Sequence, residues 1–526
     1  MVSEPGPIVE TAEGPVQGIV TGSTHSWRGI PFAAPPVGPL RWRAPQPVEP
    51  WTQVRPAEEF GPAAPQAKSA LRTGIRSYQE IDEDCLTLNV VAPRRPGGPR
   101  PVMVFIHGGA YILGSSAQAI YHGFSLVERG DVVFVSINYR LGALGYLDLS
   151  GFSTADRRFD SNLGLRDQVA ALEWVQRNIA AFGGDPDNVT VFGESAGGNA
   201  VTTLLATPAA AGLFHRAVAE SSAPTMTVPQ ERSRSWAEKF VEILRESMRE
   251  SGSTAPGSVA SGPVPELLDA AAPAQLGRAG QRLMSSAERE DASAVPFGPT
   301  VDGDYLPRDP AETIAAGRGH KVPLIIGTNR DEGTMFTKPP AGKPPSDRGV
   351  ARMLSDFDDV ATERIVGGYK DMPGDRGRIR ILGDLLFWAP SLRIAEAHAL
   401  HAPVYFYRFD FAPKPLLLSG FGATHATELL AVFGVYRGLF GRTVAALGDQ
   451  RAAIDITDRM QSDWISFART GSPASQWPRY DAERRATLII DRRTRVEYDP
   501  DAAHRRAWQG ADASEHRSAD APAIQG

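Results

Sequence analysis

The sequence predicts an α/β protein with a large, mostly parallel central sheet, helices on both faces and cap insertions. Two patterns carry this prediction. Short apolar runs recur along the chain, and segments with helical periodicity lie between them, which is typical of a parallel sheet buried on both faces. The 526 residues are 42% hydrophobic and 22% charged, so a sizeable core can form.

The predicted elements follow one another along the chain. The first strands are two apolar runs, Val102–Ile106 and Val132–Ile137. Asp160 and Ser161 are candidate caps of the next helix, whose apolar residues share one face: Leu165, Val169, Leu172, Val175 and Ile179. The remaining elements are a strand at Val189–Phe192, a helix at Ala196–Ala206, and strands at Leu324–Gly327 and Val404–Phe409.

We expect one domain over residues 1–509. Two segments within it, near 250–280 and 338–348, are rich in Ser, Gly, Pro and Ala or contain Pro-Pro pairs. They are predicted to be mobile insertions that form surface loops or part of a cap over a site. The tail 510–526 is polar and aperiodic, so it is predicted to be disordered.

Charge and composition exclude several function classes. The net charge of −6 provides no basic surface for nucleic acid. No apolar run approaches the roughly 18 residues of a membrane-spanning helix. The first residues lack a secretory signal, and the single cysteine, Cys85, excludes an intramolecular disulfide. A cytoplasmic protein is therefore expected, and both a monomer and a dimer remain open.

A candidate nucleophile lies between a predicted strand and a predicted helix. The segment Gly193–Gly197 fits the G-x-S-x-G pattern, in which a sharp turn exposes the serine, here Ser195. Small residues on either side let the neighbouring backbone approach closely. The alternative is a glycine-rich turn with an idle serine, since so short a motif also occurs by chance.

Backbone donors for an oxyanion are predicted after the first strand. His107 is followed by Gly108, Gly109 and Ala110, and glycines there can turn consecutive N–H groups toward one point. The N–H of Ala196, next to the nucleophile, is the further candidate. The alternative is an ordinary glycine turn.

Other segments stand around these motifs in a fixed order: Trp27–Ala33 with Pro35–Gly38, Glu83–Val90, Asn138–Gly142 and Phe182–Pro186. With the nucleophile motif, they resemble the type-B carboxylesterases, which include cholinesterases and bacterial para-nitrobenzyl esterases and have the α/β-hydrolase fold. The resemblance runs from about Val9 to Trp477.

The resemblance implies a triad in the order serine, acid, histidine. Its acid position matches Glu332, and its base position matches His425. Asp331 could perform the same chemistry, and spacing cannot choose between the two carboxylates, although the resemblance favours Glu332. His107 is a rival base, but its place before the glycines looks structural in the family. The alternative for each position is an ordinary surface group.

The resemblance implies a serine hydrolase that cleaves small carboxylic esters through an acyl-enzyme and needs no cofactor or metal. The same machinery could act on carbamates, amides or thioesters, and some members of the family are non-catalytic adhesion modules. The sequence contains no P-loop, H-E-x-x-H motif or dinucleotide fingerprint.

Several residues around the triad have two interpretations. Glu194 and Glu220 either tune the histidine by their negative charge or are structural carboxylates. Ala223 stands where the resemblance implies a serine that supports the acid. Five aromatic residues are candidates for the pocket, of which one or two are expected to line it: Tyr111, Phe297, Phe336, Phe387 and Trp388.

Overall fold

The structure is a computed structural model that describes residues 4–66, 79–250, 259–290, 295–338, 342–372, 374–474 and 476–511. The tail predicted at 510–526 lies outside the described residues from position 512 onward. Parts of the two predicted insertions, 251–258 and 339–341, also lie outside them.

The strands of the described ranges are β1 Pro5–Glu10, β2 Pro15–Thr21, β3 Thr24–Pro31, β4 Arg55–Pro56, β5 Thr87–Pro93, β6 Arg100–Ile106, β7 Val133–Ile137, β8 Gly184–Glu194, β9 Arg216–Glu220, β10 Val228–Pro229, β11 Thr300–Val301, β12 Leu324–Asn329, β13 Val404–Phe409, β14 Ala486–Ile490 and β15 Arg495–Tyr498. Every strand predicted from the apolar runs is confirmed, with ends that differ by a few residues.

One large sheet contains all of these strands except β10 and β11, which pair with each other. Its order is β1-β2-β3-β5-β7-β6-β8-β9-β12-β13-β14-β15, with β4 beside β2. Pairing is parallel from β7 to β14 and antiparallel toward both ends, except that the short β4 lies parallel to β2. The mostly parallel sheet is therefore confirmed. The antiparallel pairs β1–β2, β2–β3 and β14–β15 join consecutive strands through short turns, whereas β3–β5 and β5–β7 pair strands that lie far apart in the chain.

The helices of the same ranges are α1 Phe124–Gly130, α2 Gly142–Tyr146, α3 Leu163–Asn178, α4 Ala196–Leu204, α5 Gln230–Glu250, α6 Val264–Ala270, α7 Pro273–Glu290, α8 Pro310–Ala315, α9 Asp347–Met353, α10 Asp359–Gly367, α11 Asp375–Gly383, α12 Ala389–Ala399, α13 Lys414–Leu418, α14 Leu429–Val432, α15 Leu439–Val444, α16 Gln450–Thr470 and α17 Ala502–Trp508. A single π-helical turn, Asp384–Trp388, joins α11 to α12.

The alternate side chains of β6 enter two separate cores. Val102, Val104 and Ile106 pack in a cluster that also holds residues of α3 and α4. Met103 and Phe105 pack in a second cluster with residues of α16. Because successive side chains of a strand point to opposite faces, helices cover the sheet on both sides, as predicted.

One local prediction, the capping of α3, differs from the structure. Asp160 and Ser161 do not cap α3, whose N-cap is Asn162 without a side-chain cap bond. The Asp160 carboxylate instead accepts hydrogen bonds from the Arg43 side chain and the Ala44 N–H. Within the predicted insertion 250–280, the described part from Val264 onward is helical. Its mobility stays a prediction.

Cys85 lies just before β5, where it is buried with a free thiol. Burial raises the pKa of this thiol above its ordinary value. Across the described residues, none of the helices combines the length and the apolar character that crossing a membrane requires.

Candidate active site

The candidate residues follow neighbouring parallel strands that end at one edge of the sheet. The segment His107–Ala110 follows β6, Ser195 follows β8, and Glu332 comes shortly after β12. His425 lies on the connection between α13 and α14, beyond the end of β13. Sites in parallel α/β sheets form outside the carboxyl ends of the strands, so the topology brings these groups together.

Ser195 occupies a strained turn between β8 and α4. Its φ of 61° and ψ of −122° lie in a region that non-glycine residues rarely adopt, at a cost on the order of 1–3 kcal/mol. A Cβ atom on either Gly193 or Gly197 would clash with the carbonyl oxygen of Ile106. Both glycines of the motif are thus required because β6 passes directly against this turn.

The segment after β6 contacts the nucleophile turn. A Cβ atom on Gly108 would lie 3.1 Å from the Cβ of Ser195. Gly109, Ala110 and Tyr111 follow with φ angles of 116°, 52° and 58°. In the described part of the chain, the N–H groups of Gly108, Gly109 and Ala110 donate to no backbone carbonyl. This geometry leaves donors available beside the serine.

His425 meets Glu332 in a buried contact. The Nδ1 atom of His425 lies 2.6 Å from Oε2 of Glu332, which fixes the tautomer with the proton on Nδ1. Asp331 points elsewhere, because its carboxylate accepts the N–H of Ala423 at 2.9 Å. Among the described residues, Nε2 of His425 has no hydrogen-bond partner and is 3.2 Å from Oε1 of Glu194.

His107, the rival base, is held as a structural group. Its Nδ1 bonds to the carbonyl oxygen of Gly108 at 2.9 Å, and its ring stacks on Tyr139 with 4.4 Å between centroids. The Tyr139 hydroxyl donates to the His107 carbonyl oxygen at 2.6 Å. Burial lowers the pKa of His107 to about 4, so the ring stays neutral near pH 7.

Ser221 supports the acid, although no pattern in the sequence pointed to this residue. Its hydroxyl donates to Oε1 of Glu332 at 2.7 Å and lies 3.2 Å from Glu428. The N–H of Asn329 donates to the same Glu332 oxygen at 2.7 Å. The resemblance implies a supporting serine at the position of Ala223, and in this structure the serine that bonds to the acid stands two positions earlier.

Four buried glutamates surround the histidine or its partners: Glu194, Glu220, Glu332 and Glu428. Burial raises the pKa of Glu194 and of Glu428, because a carboxylate loses its hydration there, and the positive charge of protonated His425 opposes this rise. Burial also raises the pKa of Glu220, whose Oε1 accepts the Trp464 indole N–H at 2.7 Å.

The same negative charges act on His425. Burial alone would lower the pKa of the imidazole, but the charges of Glu194 and Glu332 outweigh burial and raise it to about 9. Glu194 therefore stabilises the protonated ring, which favours the interpretation that it tunes the histidine.

Replacing Glu194 with glutamine is expected to shift the acid limb of the kcat/KM profile to lower pH, by about one unit. His425 accepts a proton only when it is neutral, and removing a neighbouring negative charge lowers its pKa. The plateau of kcat/KM should fall about tenfold, since the imidazolium of the transition state loses the same charge. Steady-state rates measured from roughly pH 5 to pH 10 show both effects, because this range spans the pKa of His425.

Glu220→Gln is the matched control, because Glu220 is buried beside the same strand end and bonds to Trp464 rather than to the histidine. Its acid limb should stay in place. An unshifted limb in Glu194→Gln, or an equal shift in both variants, would contradict the role of Glu194.

Two of the five candidate aromatic residues lie beside the histidine. The ring centroids of Phe387 and Phe336 are 4.3 Å and 5.3 Å from that of His425. Phe387 belongs to the π-helical turn, a feature that often marks functional sites. Phe297 and Trp388 belong to the hydrophobic core, and the hydroxyl of the fully buried Tyr111 bonds to Asn199.

Comparison with known proteins identifies the family of this chain. The model of the carboxylesterase family matches residues 5–508. The chain is 40% identical to a para-nitrobenzyl esterase of Bacillus subtilis (strain 168), over 95% of this chain and 98% of the relative. It is 33% identical to a phenmedipham hydrolase of Pseudarthrobacter oxydans, over 92% and 95% of the two chains.

Solved structures agree with these relatives. A thermophilic PNB esterase superposes with a TM-score of 0.84 at 38% identity and covers 95% of this chain and 99% of its own. A carboxylesterase of Geobacillus stearothermophilus superposes with a TM-score of 0.80 at 34% identity, over 95% and 100%. Family, sequence and fold therefore agree, and the chain belongs to the carboxylesterase family, as a serine hydrolase of carboxylic esters.

Proposed function

We propose that Ser195, His425 and Glu332 are the catalytic triad of this esterase. The observation that carries the proposal is the 2.6 Å contact between Nδ1 of His425 and the Glu332 carboxylate. The contact occupies Nδ1 and leaves Nε2 without a hydrogen-bond partner among the described residues, so Nε2 can act as the base for Ser195. Glu332 holds the tautomer and stabilises the imidazolium that forms during attack.

The first half-reaction forms an acyl-enzyme. The Nε2 atom of His425 takes the proton of the Ser195 hydroxyl while Oγ bonds to the ester carbonyl carbon. The carbonyl oxygen becomes an oxyanion that accepts hydrogen bonds from N–H groups of Gly108, Gly109, Ala110 and Ala196. Collapse of this intermediate breaks the bond to the alkoxy oxygen, which leaves with the proton from Nε2.

The second half-reaction repeats the sequence with water as the nucleophile. His425 takes a proton from water, the hydroxide attacks the acyl carbon, and Ser195 leaves with that proton. Each N–H donor that stabilises the oxyanion is typically worth about 3–4 kcal/mol of the barrier. No step in this scheme calls for a metal or an organic cofactor.

A panel of para-nitrophenyl esters of increasing chain length tests the substrate class, with an aryl carbamate and an anilide alongside. We expect the highest kcat/KM for an ester, because para-nitrophenolate leaves more readily than an aniline and because the nitrogen lone pair makes a carbamate carbonyl less electrophilic. A higher kcat/KM for the carbamate or the anilide would contradict the preference for esters and would indicate that substrate class instead. If a fluorophosphonate probe does not label the protein, this result would contradict a serine nucleophile.

We also propose a cytoplasmic location, which the single buried cysteine supports because disulfides are rare in that compartment. Cell fractionation tests it, and recovery of the protein outside the cytoplasmic fraction would contradict it.

A further inference from the structure

A buried hydrogen bond connects the two segments that supply the proposed oxyanion donors. The hydroxyl of Tyr111 donates to Oδ1 of Asn199 at 2.5 Å. Tyr111 directly follows Ala110, whereas Asn199 lies in the first turn of α4, and its N–H donates to the carbonyl oxygen of Ser195 at 2.8 Å. The bond therefore joins the segment after β6 to the helix that begins at Ala196.

Both side chains are enclosed by the protein. Tyr111 is 0% exposed and Asn199 is 1% exposed. The Tyr111 ring packs on Tyr146 with 4.2 Å between centroids. Burial raises the pKa of the Tyr111 hydroxyl well above its ordinary value, so the hydroxyl remains a donor at every pH at which the enzyme is assayed.

The backbone before Tyr111 needs such a restraint. Gly109, Ala110 and Tyr111 all have positive φ angles, and the last two are not glycines. Conformations of this kind persist when the surroundings fix them. Local backbone bonds, such as that from the N–H of Ile112 to the carbonyl oxygen of Gly109, hold the turn itself. The Tyr111–Asn199 bond holds it against α4.

We propose that Tyr111 and Asn199 are positioning residues that set the donors of Gly109 and Ala110 relative to that of Ala196. This inference rests on the proposed function. An oxyanion hole works because its donors are already aimed at the point where charge develops, and small displacements weaken each bond. Because both side chains are buried, we expect their effect to fall on the transition state and not on substrate binding.

Tyr111→Phe, Asn199→Ala and the double variant test the pair. We expect each single change to lower kcat by about 10-fold to 100-fold and to leave KM nearly constant. This loss of kcat does not exceed the loss caused by removing one oxyanion donor. The double variant should lose no more than the worse single variant, because both remove the same bond.

Affinity for trifluoroacetophenone separates positioning from general destabilisation. This ketone adds the serine oxygen to its carbonyl carbon and forms a hemiketal oxyanion, so its inhibition constant should rise in parallel with the loss of kcat. Tyr146→Phe is the matched control. Tyr146 is also buried, accepts the Gln168 side-chain N–H at 2.9 Å, and packs on the Tyr111 ring. Tyr146→Phe should lose stability but keep kcat and the inhibition constant.

Mapping of the fluorophosphonate label distinguishes the two proposals. A label on a serine other than Ser195 would overturn the proposed function. A label on Ser195, together with an unchanged kcat in Tyr111→Phe or losses that multiply in the double variant, would overturn the positioning inference alone. Equal losses in Tyr146→Phe would also overturn it.

Discussion

Replacing Ser195 with alanine is expected to abolish ester hydrolysis and leave the protein folded. Without the hydroxyl no acyl-enzyme forms, and loss of a triad nucleophile typically lowers kcat by about 10⁵–10⁶-fold. Alanine is compatible in size with the turn, so circular dichroism and the urea unfolding midpoint should stay close to those of the parent. Stopped-flow hydrolysis of para-nitrophenyl acetate should show no burst.

Ser222→Ala is the control for this variant. Ser222 is buried nearby, and its hydroxyl shares a hydrogen bond with that of Thr202 at 3.1 Å. Its loss should change stability slightly and kcat little. Retention of the burst in Ser195→Ala, or its disappearance in Ser222→Ala, would refute Ser195 as the nucleophile.

Glu332→Gln should lower kcat by about 10³–10⁴-fold. A neutral amide cannot stabilise the imidazolium, and its NH₂ group can donate to Nδ1 and so favour the wrong tautomer of His425. The loss should persist at every pH at which the protein is folded, because no titration restores the carboxylate. Steady-state kinetics between roughly pH 6 and pH 10 measure this, because that range spans the raised pKa of His425, about 9.

Asp331→Asn is the matched control for the acid. Asp331 accepts the N–H of Ala423, and an asparagine carbonyl oxygen can accept the same bond. We expect kcat to remain within about tenfold of the parent, since only the ionic part of one hydrogen bond is lost. A larger loss in Asp331→Asn than in Glu332→Gln would reassign the acid to Asp331.

Local patterns in the sequence were sufficient to predict the centre of the sheet. The apolar runs at β6, β7, β8, β12 and β13 are buried on both faces, and such strands are continuous in hydrophobicity. The turn at Ser195 was predictable because strand, motif and helix are contiguous. The antiparallel strands β1 to β3 were not predicted, since half-buried edge strands carry a weaker signal.

Contacts between distant segments could not be predicted from the sequence alone. Spacing leaves Asp331 and Glu332 equivalent, and the structure brings Glu332 to the histidine because the turn after β12 directs successive side chains differently. The support from Ser221 depends on the pairing of β9 with β12. Ser221 and Glu332 are 111 residues apart in the sequence, so no local pattern connects them. Asp160 does not cap α3, because its carboxylate accepts hydrogen bonds from the Arg43 side chain and the Ala44 N–H instead.

The one thiol of this chain also provides a built-in reporter of conformational opening. Cys85 is enclosed beside β5 and its thiolate is disfavoured there, so reagents such as maleimides reach it only when the surrounding structure separates. The alkylation rate under native conditions would therefore measure how often that region opens, with no label engineered into the protein.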